Sequence, residues 1–191
     1  IGTVGFSRDI TAIKEQQQQL EHNAHFDALT NLPNRVLLAD RLRQAMLQAQ
    51  RRNQLLAVAY LDLDGFKAVN DRYGHDVGDQ LLIAVSSHMK QALREGDTLA
   101  RIGGDEFVAM LTDLADTAAC IPLLQRLLDA AATPMIIDGV EMKVSASVGV
   151  TVYPQPESIE GDLLLRQADQ AMYQAKSLGK NRYHFFELNG A

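Results

Sequence analysis

A continuous apolar run in the first third of the chain constrains the fold most strongly. Residues 55–61 (LLAVAYL) contain no charged side chain and have the length of one strand. A strand that is apolar on both faces belongs in the middle of a sheet that helices cover on both sides. The sequence therefore predicts an α/β (α+β) domain in which this segment is a central strand that ends abruptly at Asp62.

The rest of the chain alternates between helical and strand patterns. Apolar residues spaced three and four apart predict helices that end near residue 51, that follow residue 79 to about 94–96, and that cover 116–132 and 162–178. Stretches rich in β-branched and apolar residues predict strands over 98–102, 107–111, 135–137, 140–152 and 182–186. Pro122 indicates either a late helix start or an imperfect first turn. Asp138 with Gly139 indicates a hairpin, and Gly179 is a helix stop.

Composition excludes several classes of protein. The formal net charge of −6 argues against a nucleic-acid partner, which would need a basic face. A single cysteine, Cys120, excludes an intramolecular disulfide framework and a multi-cysteine zinc site. No apolar run approaches membrane-spanning length and no secretory signal opens the chain. We expect a cytoplasmic fragment that is not inserted in a membrane, although upstream segments of a longer protein can still tether it.

The acidic residues define the candidate chemistry. Gly103 and Gly104 allow positive φ in a hairpin turn, and Asp105 and Glu106 are expected just past that turn. By itself this pattern is also typical of a solvated hairpin tip whose charges protect a sheet edge. If the strand that ends at Asp62 lies beside this hairpin, the carboxylates of Asp62 and Asp105 converge at one end of the sheet.

Converging carboxylates predict a metal site and a class of reaction. Two carboxylates and a main-chain carbonyl such as that of Leu63 are the oxygen ligands that Mg²⁺ prefers, with water and substrate phosphates completing the octahedron. The alternative is a pair of acids satisfied by lysine or water. A magnesium site at a strand end indicates phosphoryl or nucleotidyl transfer. No Walker motif is present, so other groups must bind the phosphates.

Lysines and a polar pair are the candidates for substrate binding. Lys67, Lys176 and Lys180 can contact phosphates, although lysines near a helix C-terminus often only complement the helix dipole. Asn70 and Asp79 can recognise a guanine edge, because a carboxylate accepts well from its N1 and N2 donors. Their alternative role is capping, with Asn70 in a turn and Asp79 in the first turn of the next helix.

Five motifs in order resemble the GGDEF family of diguanylate cyclases. They are residues 27–35 (DALTNLPNR), 62–71 (DLDGFKAVND), 74–79 (GHDVGD), 103–107 (GGDEF) and 175–182 (AKSLGKNR). The resemblance covers about residues 27–187. It implies a central, mostly antiparallel sheet flanked by helices, related to the palm of adenylyl cyclases and polymerases.

The resemblance implies condensation of two GTP into cyclic di-GMP and two pyrophosphates, with Mg²⁺ or Mn²⁺ as cofactor. In the family each subunit binds one GTP and two domains face each other, so a homodimer forms the active site. The resemblance assigns the metal to Asp62, the Leu63 carbonyl and Asp105. Glu106 assists the metal or the attacking hydroxyl.

The resemblance also assigns the substrate contacts. The guanine contacts are Asn70 and Asp79, and the phosphate contacts are Lys67, Lys176 and Lys180. Phe66 also belongs to the substrate site. Gly103 and Gly104 leave room for the triphosphate.

The resemblance also implies a regulatory site for cyclic di-GMP. Arg94 and Asp97 have the Arg-x-x-Asp spacing of the family's product-inhibition site, just before the hairpin. A guanidinium can bind guanine or phosphate in a bidentate manner, and a carboxylate can accept from guanine. An Arg and an Asp three residues apart are also a common surface pair of little energetic value. Arg126 is a weaker candidate for the second half of the site.

The regions outside residues 27–187 are assigned separately. Residues 1–13 alternate partly like a strand and, with the pattern GFSRDIT, resemble the C-terminal end of a PAS sensor domain. Residues 14–26 are expected to form a helical linker, and 188–191 a tail. Coiled-coil spacing is found at Ile13, Gln17, Leu20 and Ala24. It fits a dimerising linker and a solvated spacer equally.

Two alternatives to an active cyclase remain. One is a catalytically silent GTP-binding module that controls an adjacent domain, for example a phosphodiesterase. The motif residues of this chain are intact, which argues against a silent module without excluding it. The other is an interaction-only domain, which would leave acids at the ends of buried strands without a purpose.

Overall fold

The computed structural model describes residues 4–188 of the chain, with side chains from residue 9 onward. Within that range the helices are α1 Val4–His25, α2 Arg35–Arg52, α3 Phe66–Tyr73, α4 His75–Ala92, α5 Ile121–Ala131 and α6 Gly161–Ser177. The strands are β1 Leu55–Asp64, β2 Thr98–Gly103, β3 Glu106–Leu114, β4 Met135–Ile137, β5 Val140–Met142, β6 Ser145–Tyr153 and β7 Arg182–Phe185.

The central sheet has the strand order β2-β3-β1-β6-β7. β1 lies in the middle and pairs antiparallel with β3 and β6, whereas β7 runs parallel to β6 at the edge. The predicted central strand and the mostly antiparallel sheet flanked by helices are therefore confirmed. β1 continues to Asp64, beyond its predicted end, because β6 pairs with it as far as the Asp64 and Ser145 positions.

Helices cover both faces of the sheet, as the apolar run of β1 requires. On one face α4 and α5 pack on the odd-numbered residues of β1, including Ala59 and Leu61, which have no exposed surface. On the other face α2 and α6 pack on the even-numbered residues Leu56 and Val58. Burying one leucine or valine side chain contributes about 2 kcal/mol. Packing on both faces therefore fixes β1, and with it the end of the strand at Asp62 and Asp64.

Gly149 allows α6 to lie directly on the sheet. It is in β6, and a Cβ added there would be 2.0 Å from the carbonyl oxygen of Ala168 and 2.0 Å from the backbone nitrogen of Met172. Any larger residue would push the helix away. This close packing places the C-terminal end of α6 against the end of β1.

The structure corrects the prediction for residues 1–13. Residues 4–13 form the first half of α1 instead of a strand, and residues 1–3 lie outside the described range. A strand needs a partner for its backbone hydrogen bonds; the described part of the chain offers none to this segment, whereas a helix satisfies those groups locally. The proposed origin of this segment in a PAS-like domain remains a prediction. The helical linker is observed up to His25.

Two further boundaries were wrong. The turn expected over residues 70–79 is largely helical, because α3 and α4 are separated only by Gly74, whose φ is 89°. The strand expected over 140–152 is broken at Lys143 and Val144 into β5 and β6. β5 pairs with β4 in a separate hairpin, whereas β6 joins the central sheet. Pairing with different strands, which a local pattern does not report, decides the second case.

Within residues 4–188, no helix combines the length and the apolar character that crossing a membrane requires.

Candidate active site

Asp62 and Asp105 lie together at one end of the sheet. The register between β1 and β3 places Asp62 opposite Glu106, directly after the turn that carries Asp105. The N–H of Leu63 donates to the main-chain carbonyl of Asp105 at 3.2 Å, which ties the turn to the end of β1. Burial and the neighbouring Asp62 carboxylate raise the pKa of Asp105 to about 6. The fold thus holds the two carboxyl groups close together although their negative charges repel each other.

The turn itself differs by one residue from the prediction. Gly103 pairs with Glu106, so the two turn residues are Gly104 and Asp105. Both glycines have positive φ, 155° for Gly103 and 47° for Gly104. Asp105 therefore lies within the turn, and Glu106 is the first residue of β3.

One lysine partly balances the two acids. Nζ of Lys176, in the last turn of α6, donates to Oδ2 of Asp62 at 2.7 Å. Burial opposes the charge of Lys176, but the Asp62 carboxylate outweighs that effect and raises the lysine pKa. Oδ1 of Asp62 is buried and has no hydrogen-bond partner among the described residues. A buried carboxylate oxygen without a donor is costly, so this site favours a further cation.

The available oxygens fit a hard divalent cation. The N–H and C=O of one strand residue point to the same edge, so the Leu63 carbonyl is directed to the side of Asp105. No cluster of three or more His, Cys, Asp or Glu side chains suited to a metal occurs within residues 4–188. Two carboxylates and one carbonyl suit Mg²⁺, which keeps several water molecules and binds substrate phosphates.

Glu106 is held by a tyrosine. Its Oε2 accepts a hydrogen bond of 3.0 Å from the hydroxyl of Tyr60, two residues before Asp62 in β1. Burial and the Glu106 carboxylate raise the pKa of Tyr60 far above its usual value, so the phenol remains a donor. The tyrosine thus orients the Glu106 carboxylate at the start of β3.

An arginine clamps the turn. Arg101, in β2, donates from Nη1 to both carboxylate oxygens of Asp27 at 3.0 Å and from Nε to the Gly104 carbonyl at 2.9 Å. Burial alone would raise the pKa of Asp27, but hydrogen bonds from Thr30 and Arg101 outweigh it and lower that pKa. The clamp connects the first of the five motifs to the turn that carries Asp105.

The predicted guanine pair lies where α3 meets α4. Oδ1 of Asn70 occupies the space where a Cβ of residue 78 would be, because an added Cβ at Gly78 would lie 1.8 Å from it. This oxygen is buried and has no partner among the described residues. Asp79 follows Gly78 directly and is exposed. The capping alternative is not supported, because α4 begins at His75 and Asp79 lies beyond its first turn.

The other predicted substrate residues are placed less directly. Lys67, in the first turn of α3, and Lys180, after α6, are exposed, and Phe66 is buried at the start of α3. Lys176 contacts Asp62, whereas neither Lys67 nor Lys180 forms an ion pair with Asp62 or Asp105 within the described residues.

Arg94 and Asp97 form an ordered ion pair. Nε and Nη2 of Arg94 each donate to the Asp97 carboxylate at 3.1 Å, and Nη2 also donates to the Thr112 carbonyl at 2.6 Å. The Asp97 side chain has no exposed surface. The pair borders a groove of about 330 Å³ that also contains Arg41 and Lys90. Glu95 also lines the groove, so beside the ion pair it carries two cations and one carboxylate. The surroundings are thus more structured than those of an ordinary surface pair.

Sequence reasoning missed several residues that shape this site. They are Tyr60, Arg101, and the two serines Ser145 and Ser147, which donate to Asp64. Arg101, a charged residue inside an otherwise apolar strand before two glycines, carried a usable signal. The serines carried none, because only the register of β1 and β6 places them opposite Asp64 and Asp62.

The chain matches known proteins over most of its length. Residues 24–182 match the family model described as diguanylate cyclase, GGDEF domain. The bifunctional diguanylate cyclase/cyclic di-GMP phosphodiesterase MucR of Pseudomonas aeruginosa is 45% identical over 93% of this chain. The cyclic di-GMP phosphodiesterase NbdA of the same organism is 40% identical over 87% of this chain. The chain spans only 26% of MucR and 21% of NbdA.

Solved structures agree with this match. The GGDEF domain of TpbB (YfiN) from Pseudomonas aeruginosa superposes with a TM-score of 0.82 at 37% identity, covering 86% of this chain and 96% of that one. The coiled coil and GGDEF domain of DgcB from Caulobacter crescentus, solved with cyclic di-GMP, superposes with a TM-score of 0.80 at 27% identity, covering 95% of each chain.

Proposed function

This chain belongs to the GGDEF domain family of diguanylate cyclases, and we propose on that premise that it condenses two GTP into cyclic di-GMP with release of two pyrophosphates. The observation that carries the proposal is the pairing of Asp62 with Asp105. Two carboxylates share one end of the sheet, the pKa of Asp105 is raised to about 6, and a buried oxygen of Asp62 has no partner among the described residues. Such a site is suited to a cation that carries phosphates.

Asp62, Asp105 and the Leu63 carbonyl would hold Mg²⁺, or Mn²⁺ in its place. When bound, such an ion neutralises charge on the triphosphate and polarises the attacking hydroxyl. Lys176 adds a positive charge that is already positioned by Asp62. Glu106, whose carboxylate is oriented by Tyr60, would accept the proton of the 3′-hydroxyl.

The remaining substrate contacts follow from α3, α4 and the end of α6. Asn70 and Asp79 recognise guanine, an assignment supported by the position of the Asn70 amide against Gly78. Phe66 and Lys67 begin α3 beside the triphosphate, and Lys180 contacts its phosphates. Gly103 and Gly104 leave space for the triphosphate above the turn.

A homodimer completes the reaction. The product contains two equivalent phosphodiester bonds, whereas the described part of the chain contains one Asp62–Asp105 site. Two copies that face each other supply two equivalent sites, so that each 3′-hydroxyl attacks the α-phosphate held by the other copy. Ile13 and Leu20 on α1 are 61% and 70% exposed, which supports α1 as a dimerising linker.

Product inhibition is assigned to Arg94 and Asp97. The ordered guanidinium, with Arg41 and Lys90 in the groove beside it, supports binding of cyclic di-GMP, which carries two phosphates. The DgcB structure contains cyclic di-GMP, which supports such binding within the family. We also place the domain in the cytoplasm, where GTP is available.

Conversion of GTP to cyclic di-GMP by the purified chain with Mg²⁺ tests the proposal. Asp105→Asn should abolish product, because it removes one of the two charges that hold the metal. Asp113→Asn is the matched control: Asp113 is exposed at the far end of β3, paired with Arg52, and has a φ of 53° that asparagine tolerates. Product formed equally by both variants would refute the proposal.

A GTP-binding module without turnover is the second candidate. The observation that favours it is the 40% identity to NbdA, which is named as a phosphodiesterase. Under this alternative the chain binds GTP with Mg²⁺ and is dimeric, yet forms no product at any protein concentration. Product that rises faster than linearly with protein concentration, and is absent from Asp105→Asn, excludes it.

A further inference from the structure

The two acids at the end of β1 have different partners. Asp62 has one oxygen on Lys176 and one without a partner among the described residues. Asp64 is only 9% exposed, and both of its oxygens accept hydrogen bonds. Ser147 donates to Oδ1 at 2.7 Å, and Ser145 donates to Oδ2 at 2.7 Å. Asp64 is therefore a buried anion satisfied by donors of the protein, and its surroundings differ from those of a metal ligand.

A third donor to Asp64 comes from the segment that follows α6. The backbone N–H of Asn181 donates to Oδ2 at 3.1 Å. Gly179, Lys180 and Asn181 have φ values of 120°, 62° and 48°. A left-handed conformation is costly for a lysine, whereas glycine and asparagine tolerate it, so Lys180 is the residue of this turn that most needs external support.

The turn formed by residues 179–181 is held from both sides. The N–H of Lys180 closes the helix end by donating to the Ala175 carbonyl at 3.1 Å. On the other side the N–H of Asn181 donates to Oδ2 of Asp64. Asp64 thus supplies the contact that connects this left-handed turn to the central strand.

We propose that Asp64 is a positioning residue for nucleotide binding, which acts by holding the left-handed turn so that Lys180 is presented to the triphosphate. The inference rests on the proposed function, in which Lys180 contacts phosphate. Asp62 and Asp64 are two strand residues, or about 7 Å, apart. Through Lys176 and Asn181, both acids bind the same end of α6. β1 therefore sets the spacing between the metal acids and the cations that bind the phosphates.

A double-mutant cycle separates this role from a general contribution to stability. The proteins are wild type, Asp64→Asn, Lys180→Ala and the double variant. The readout is the Kd for the α,β-methylene analogue of GTP with Mg²⁺, by calorimetry, which requires no turnover. We expect each single variant to weaken binding about tenfold, the scale of one charge-assisted hydrogen bond, and the double variant to bind like Lys180→Ala alone.

Two further variants keep the test decisive. Thr151→Val removes another buried hydrogen bond between β6 and α6, from Thr151 to Gln167 at 2.7 Å, and should leave analogue binding unchanged. If Asp64→Asn does not fold, Ser145→Ala removes one donor to the same carboxylate and enters the same cycle, with a smaller expected effect of about threefold.

The outcomes distinguish this inference from the proposed function. Additive losses in the double variant, about a hundredfold, would overturn the role through Lys180, as would wild-type binding by Asp64→Asn. A different outcome is a non-additive loss of analogue binding in the variants together with a wild-type protein that forms no cyclic di-GMP. That outcome would support the positioning role while refuting the cyclase. Turnover assays should show the same change in KM, with a smaller change in kcat.

Discussion

Gly149→Ala tests whether the packing of α6 on the sheet is as close as the structure indicates. The added Cβ would lie 2.0 Å from two backbone atoms of α6, which is 1.4 Å short of the 3.4 Å at which ordinary contact begins. Both obstacles are backbone, so no side-chain rotation relieves them. The helix α6 must therefore move, and the core between α6 and the sheet must repack around it.

The expected cost is at least about 3 kcal/mol, the upper part of the range for overpacked cores. For a domain of this size that loss lowers Tm by about 6–12 °C. The displacement also moves Lys176, on the same helix, away from Asp62, so GTP turnover should fall together with stability.

Urea unfolding followed by circular dichroism, with calorimetry for Tm, measures the effect. Gly96→Ala is the matched control, because its Cβ would meet only Thr112 Oγ1 at 3.5 Å and its φ lies outside the left-handed region. We expect that control within about 0.5 kcal/mol of wild type, or slightly more stable through the unfolded state. A Gly149→Ala protein as stable as Gly96→Ala would refute the close approach of α6.

Three smaller predictions follow from buried polar groups. Burial raises the pKa of the Cys120 thiol to about 11, so a thiol reagent at neutral pH should react only after unfolding; rapid labelling of the native protein would contradict this. Because the pKa of folded Asp27 is lowered, its stabilisation by Thr30 and Arg101 is present above the unfolded pKa and is lost as pH falls through the folded pKa; Asp27→Asn should show a flatter loss of stability in acid, and equal slopes would argue against the clamp. Tyr60→Phe should cost about 1 kcal/mol of stability and reduce kcat more than the KM for GTP, because it releases Glu106; an unchanged kcat would exclude that role.

Much of the fold is encoded in short stretches of the chain. The apolar run of residues 55–61 predicted the central strand, and Gly103 and Gly104 between two stretches rich in β-branched and apolar residues predicted the β2–β3 hairpin. Pro122 near the start of α5 and Gly179 after α6 marked helix ends correctly. These signals are local, since periodicity and turn chemistry depend on neighbouring residues.

The wrong predictions concern segments whose structure depends on distant partners. The partial alternation of residues 1–13 is also compatible with a helix, which the structure shows from Val4 onward, and only pairing would make the segment a strand. The break at Lys143 and Val144 exists because β5 and β6 join different sheets. A local pattern indicates which residues can be extended, but it does not identify the partner.

The sequence alone determined which residue types are available at the site: the strand-end acids, the glycines of the turn, the lysines and the polar pair. Only the tertiary structure decided how they divide the work. Asp62 and Lys176 are 114 positions apart, and Asp64 and Asn181 are 117 apart. The register of β1 against β6 and the packing of α6 on Gly149 set these contacts. Two acids in one short motif therefore acquire different partners, because a side chain's chemistry depends on which donors the fold places around it.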